Sequence, residues 1–179
     1  MFSGRLARKG LISTLAIAGC CAVGIPTISW AQSNPGLTIF SGVERENILS
    51  YYLDFDGRPG GIDRYRLRIP AKKMEFGVAQ IAISYPDYYK GEFRTEKIEV
   101  RVDGESLPLS EVEWDKENQL IRIYMEEPVE AGNPVEVVLS RVKNPRFGGT
   151  FYFDCRILTP GDVPLPRYIG TWIISIGRS

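Results

Sequence analysis

A chain of 179 residues that is 44% hydrophobic and 25% charged has the bulk for one globular domain plus a targeting segment, and it is too apolar for a chain disordered throughout. Its formal charge of zero hides an asymmetry, because Arg5, Arg8 and Lys9 are the only charges before Glu44. Without those three, 19 of the 22 basic residues face 22 acidic ones, a net of −3 that argues against generic nucleic-acid binding.

The first 31 residues read as a signal peptide. A basic start over residues 1–9 precedes an apolar stretch over residues 11–25. Pro26 then breaks any helix, and Ser29-Trp30-Ala31 places small residues where a signal peptidase cuts. Two alternatives stay open. Ile17-Ala18-Gly19-Cys20 resembles a lipoprotein box, which would make a lipidated Cys20 the mature N-terminus, and residues 10–31 are about long enough for an uncleaved membrane anchor. Each version directs residues 32–179 out of the cytoplasm.

Past that point short alternating runs lie between turn residues, the pattern of a β-sandwich. Strands are expected over residues 36–40, 48–55 and 64–69, the last placing Tyr65, Leu67 and Ile69 on one face and Arg64, Arg66 and Arg68 on the other. Residues 71–76 offer a single helical turn. Further strands follow over residues 78–85 and 98–102, with Asp103-Gly104 as a hairpin turn able to adopt positive φ. Runs over residues 112–114, 120–125, 135–142, 150–158 and 168–176 complete the set, with a bend at 128–133. Almost no helix is available to cover a sheet. The expected fold is therefore all-β: an immunoglobulin-like sandwich of about eight to nine strands in two sheets that cover each other, preceded by an N-terminal signal helix.

The segment Asn144-Pro145-Arg146-Phe147-Gly148-Gly149-Thr150-Phe151-Tyr152-Phe153, then Pro160-Gly161 and Tyr168-Ile169-Gly170-Thr171-Trp172, resembles a cyanobacterial family of exported proteins catalogued only as a domain of unknown function. The resemblance reaches back through Ile69-Pro70-Ala71-Lys72 and Tyr85-Pro86. It implies export, to periplasm, cell envelope or thylakoid lumen, and a β-rich fold, and it supplies no activity.

Candidate chemistry is sparse. The chain contains no histidine, which removes Ser-His-Asp and Cys-His catalysis and the common zinc and copper sites. No catalytic residue and no cofactor is expected. Asp54, Asp56 and Asp63 can offer oxygens to calcium, but the twelfth position from Asp54 is Tyr65, not the glutamate of an EF-hand, and a solvated turn explains them as well. Glu126, Glu127 and Glu130 read as a surface at a strand end. The Arg64, Arg66 and Arg68 stripe, with Arg58, Lys72 and Lys73 nearby, can meet an anionic polymer, lipid head groups or an acidic envelope protein. Its ordinary explanation is a wet strand face paired with Glu or Asp on a neighbour, and Glu99, Arg101 and Asp103 supply such a mixed face. Tyr85, Tyr88 and Tyr89 can stack on a sugar or anchor an interface, or merely cap the sandwich. Cys155, alternating with Phe151 and Phe153, reads as a buried hydrophobe. These features point to an exported, non-enzymatic binding or structural accessory module. A carboxylate-based polysaccharide hydrolase and a calcium-dependent adhesion or sugar-binding module are the alternatives.

Overall fold

A computed structural model describes residues 42–161 and 166–177. The expected signal segment, Cys20 and the strand at 36–40 lie outside them. Eleven strands form two sheets, with three single turns of 3-10 helix at Arg45–Asn47, Ala71–Lys73 and Thr95–Lys97. In chain order the strands are β1 Ile48–Leu49, β2 Tyr51–Leu53, β3 Ile62–Ile69, β4 Val78–Ser84, β5 Ile98–Val102, β6 Glu105–Leu107, β7 Leu109–Asp115, β8 Leu120–Val129, β9 Val135–Lys143, β10 Gly149–Leu158 and β11 Pro166–Ile176. The larger sheet runs β1-β11-β10-β4-β8-β7 and the smaller β2-β3-β9-β5-β6. All pairings are antiparallel except β1 with β11. This is the expected two-sheet, immunoglobulin-like sandwich.

The alternation holds where it is most legible. Tyr65, Leu67 and Ile69 are buried while Arg64, Arg66 and Arg68 face out. Phe151, Phe153, Cys155 and Ile157 line the inner face of β10, so Cys155 is a buried hydrophobe, and burial pushes its thiol pKa up. Asp103 and Gly104 take φ of 50° and 87°, the left-handed pair that a tight hairpin requires.

The strand expected over residues 48–55 is corrected to two. Leu49 points into the core from beside β11, and the chain then crosses at Ser50 so that Tyr51 pairs with Leu67 in the other sheet. One short segment thus contributes to both layers. The runs at 112–114 and 120–125 extend to Leu109–Asp115 and Leu120–Val129, because cross-strand pairing recruits flanking polar residues that show no alternation of their own. With β6 counted separately, these changes raise eight to nine strands to eleven among the described residues.

Trp172 on β11 is the largest fully buried side chain, and its indole N–H donates to the Arg68 carbonyl of the facing sheet at 3.2 Å. It thereby joins the two layers by area and by a directional bond. Trp172→Ala should lower unfolding free energy by about 3–5 kcal/mol in urea titration, the range for large aromatic deletions in a core. A loss below about 1 kcal/mol would contradict its place at the centre.

Candidate functional site

The arginine stripe is a ladder across the outer face of the smaller sheet. Arg66 donates from Nε to Asp54 Oδ1 at 2.8 Å and from one terminal nitrogen to Oδ2 at 3.1 Å, a two-pronged grip. Arg64 reaches the same carboxylate at 3.3 Å. Glu136 on β9 is shared by Arg66 at 3.5 Å and Arg68 at 3.1 Å. Beneath them Val138, the cross-strand partner of Arg66, is fully covered although it faces outward, as long arginine stems allow. The acids that pair the stripe are therefore Asp54 and Glu136. Glu99 instead bonds Arg101 on its own strand at 2.6 Å. The reason is register: Arg68, Glu136 and Arg101 lie opposite one another across β3, β9 and β5, so β9 stands between the stripe and β5.

The three aspartates considered for calcium serve separate partners. Asp54 holds the ladder. Asp63 is buried, and its carboxylate accepts backbone N–H groups from Phe55 at 3.0 Å, Gly57 at 2.8 Å and Arg64 at 2.7 Å. It clasps the turn between β2 and β3, where Asp56 and Gly57 take φ of 61° and 60°. Asp56 is exposed beside Arg58 at 3.9 Å. Among the described residues no group of three or more acidic, cysteine or histidine side chains is placed to hold a metal ion.

The three tyrosines divide. Tyr85 and Tyr89 are buried in an aromatic cluster with Phe93, Phe151 and Phe153, so they cap the sandwich end from within, where burial raises their pKa values. The Tyr85 hydroxyl accepts the Trp114 indole N–H at 2.7 Å. Tyr88 is 55% exposed and stacks on Phe151 at 5.7 Å.

That same end carries what residue patterns did not single out. Strands β2, β4 and β9 finish there, and β3 and β10 begin there. The loops at 54–61 and 144–148 are stitched together. Gly60 N–H donates to the Pro145 carbonyl at 2.8 Å, Asn144 N–H to the Gly61 carbonyl at 2.8 Å, and the Asn144 side-chain amide to the Arg58 carbonyl at 2.9 Å. Asn144 is buried, and its side-chain oxygen accepts the Tyr65 hydroxyl, which also bonds the Tyr89 hydroxyl at 3.1 Å. Gly148 packs against the end of β11, where a Cβ would lie 2.6 Å from the Ile176 carbonyl oxygen. On this fixed frame sit Phe55 at 55%, Ile62 at 53% and Phe147 at 81% exposure. The signal was present in Phe147 between Arg146 and Gly148-Gly149, but a turn motif alone does not say which way its apolar residue points.

A family model described as a protein of unknown function (DUF2808) matches residues 37–176. The chain belongs to the DUF2808 family. No curated protein matches this DUF2808 chain in sequence. Among solved structures it is similar to BslA, a bacterial hydrophobin, at 12% identity and TM-score 0.46, covering 72% of this chain and 96% of that one. It is also similar to the collagen-binding domain of a Staphylococcus aureus adhesin, at 9% identity and TM-score 0.43, covering 78% and 100%. An uncharacterized protein from Nocardia farcinica with an immunoglobulin-like fold matches at 12% identity and TM-score 0.40, covering 73% and 98%.

The Arg66 hydrogen bonds, with the further charge of Arg64, hold the Asp54 carboxyl below its ordinary value of 3.8, and partial burial opposes them only in part. A depressed folded-state pKa stabilises the fold above the unfolded value, and that contribution is lost as pH falls through the folded one. Asp54→Asn should therefore melt lower than wild type at neutral pH, with the gap narrowing below pH 3.8. Thermal melts across the acid range would show it, and a gap constant with pH would sever the ladder from stability.

Proposed function

We propose that this protein is an exported, non-enzymatic docking module of the cell envelope or of a lumenal compartment, the thylakoid lumen being one such place if the source is a cyanobacterium. One observation carries the reading: a stitched, preorganised loop end presents Phe55, Ile62 and Phe147 to solvent. Exposed large apolar groups on a rigid frame lose little entropy when covered, which is how docking surfaces gain affinity. The buried Asp63 and Asn144 are occupied in holding that frame, and no buried side-chain nitrogen or oxygen among the described residues lacks a partner. The arginine ladder supports the same sheet and offers a secondary, weakly free cationic face, since its guanidiniums already hold Asp54 and Glu136. Export rests on the N-terminal residues alone.

Mature protein added back to native envelopes should be retained, and Phe55→Ser with Phe147→Ser should reduce retention about tenfold while melting as wild type does. Equal retention of the double variant, or turnover of envelope glycans abolished by a single carboxylate change, would sink the proposal. Intact-mass analysis of the native protein should find Gln32 as its first residue. A lipidated Cys20 would keep export but change the tether, and an intact Met1 on cytoplasmic protein would remove export altogether.

A further inference from the structure

We infer that the stitched loop end is a lipid-facing surface, inserting Phe55, Ile62 and Phe147 into the head-group region of an anionic membrane. The inference rests on the docking reading above and names its partner. Two features favour a bilayer over a protein. The apolar residues stand on loop tips and at a strand start, so they suit a deformable surface that moulds around them. The charges flanking them are predominantly basic. Over residues 54–62 and 143–149 the exposed charged residues are Arg58, Lys143, Arg146 and Asp56, three cations against one carboxylate, and the neighbouring loop, whose Glu92 bridges to Lys143, adds Asp87 and Glu92 against Lys90 and Arg94, so the excess of two cations stays. The Asp56 contact with Arg58 is long at 3.9 Å, with both side chains more than 70% exposed, and pairs of that kind contribute little. Cations ringing apolar tips complement the negative surface potential of anionic lipid.

Rigidity serves insertion as it serves docking in general. Asn144 ties both loops to each other and, through Tyr65 and Tyr89, to the core. Asp63 clasps the turn below Phe55. The tips therefore enter together, without an ordering cost at the moment of contact. Tyr88, exposed at the same end and stacked on Phe151, has the amphipathic character that suits the rim of such a surface.

The test uses full-length mature protein and vesicles of phosphatidylcholine, alone or mixed with phosphatidylglycerol, scored by co-sedimentation. Binding is expected to the mixed vesicles, weaker to phosphatidylcholine alone, and weaker at high salt. Phe147→Ser should lower the partition coefficient about tenfold, and Lys143→Gln with Arg146→Gln should abolish the preference for the anionic lipid. Phe76→Ser, a change at an exposed phenylalanine of the opposite end of the sandwich, should bind as wild type. In Phe147→Trp the added indole should shift its emission to the blue on vesicles, a readout that requires insertion and not merely a folded protein. No vesicle binding together with Phe147-dependent envelope retention would overturn the lipid assignment and leave a protein partner. Loss of Phe147 dependence in both assays would overturn the docking reading too. Self-association through this end in solution, detected by sedimentation and removed by Phe147→Ser, would also overturn the lipid assignment.

Discussion

The constraint on which the rest depends is mutual coverage. Among the described residues two sheets are joined by only three turns of 3-10 helix, so it is the sheets that take each other's apolar faces out of water. Each inner face must therefore be continuous, and the core runs unbroken from Leu67 and Val137 on one side to Ile83, Ile123, Phe153 and Trp172 on the other. Trp172 fixes the distance between layers because its indole must fill the gap and reach the Arg68 carbonyl at once. Everything polar is then pushed to the outer faces and the ends, and so is everything available for contact.

On the outer face of the smaller sheet, that pressure produced a closed charge ladder. Arginine stems shelter Val138, and Asp54 and Glu136 neutralise the guanidiniums. The ladder resembles a site in sequence and behaves as a support in structure. At the end of the sandwich the outcome is reversed. The polar groups there, Asp63, Asn144, Tyr65 and Tyr89, are turned inward to hold the loops, and apolar side chains are left outside. Such an inversion costs solubility, since exposed Phe147 and Phe55 gain nothing from water.

Bulges adjust the frame between these regions. Where Asp63 pairs with Val142 and Tyr65 with Leu139, β9 carries an extra residue, and Arg141 takes a φ of 58°. The extra residue restores the inward direction of Val142 while Asp63 and Tyr65 both point to the interior. That places the Asp63 carboxylate under one loop and the Tyr65 hydroxyl against Asn144 of the other. A local irregularity in the ladder thus sets up the clasp at the end.

Period-two alternation determined the fold class, the inward faces of β3 and β10 and the buried state of Cys155, because side-chain direction in a strand is a local property. Turn chemistry determined the Asp103-Gly104 hairpin for the same reason: positive φ is decided within two residues. Tertiary structure alone decided the sheet switch at Ser50, the choice of Asp54 and Glu136 as arginine partners, and the division of three neighbouring tyrosines into two buried and one exposed. Each depends on which distant strand lies alongside. It also decided that Phe147 shares one end with Phe55 and Ile62, more than eighty residues earlier in the chain, since β9 must pair with β3 and Asn144 must bridge the two loops to bring them together.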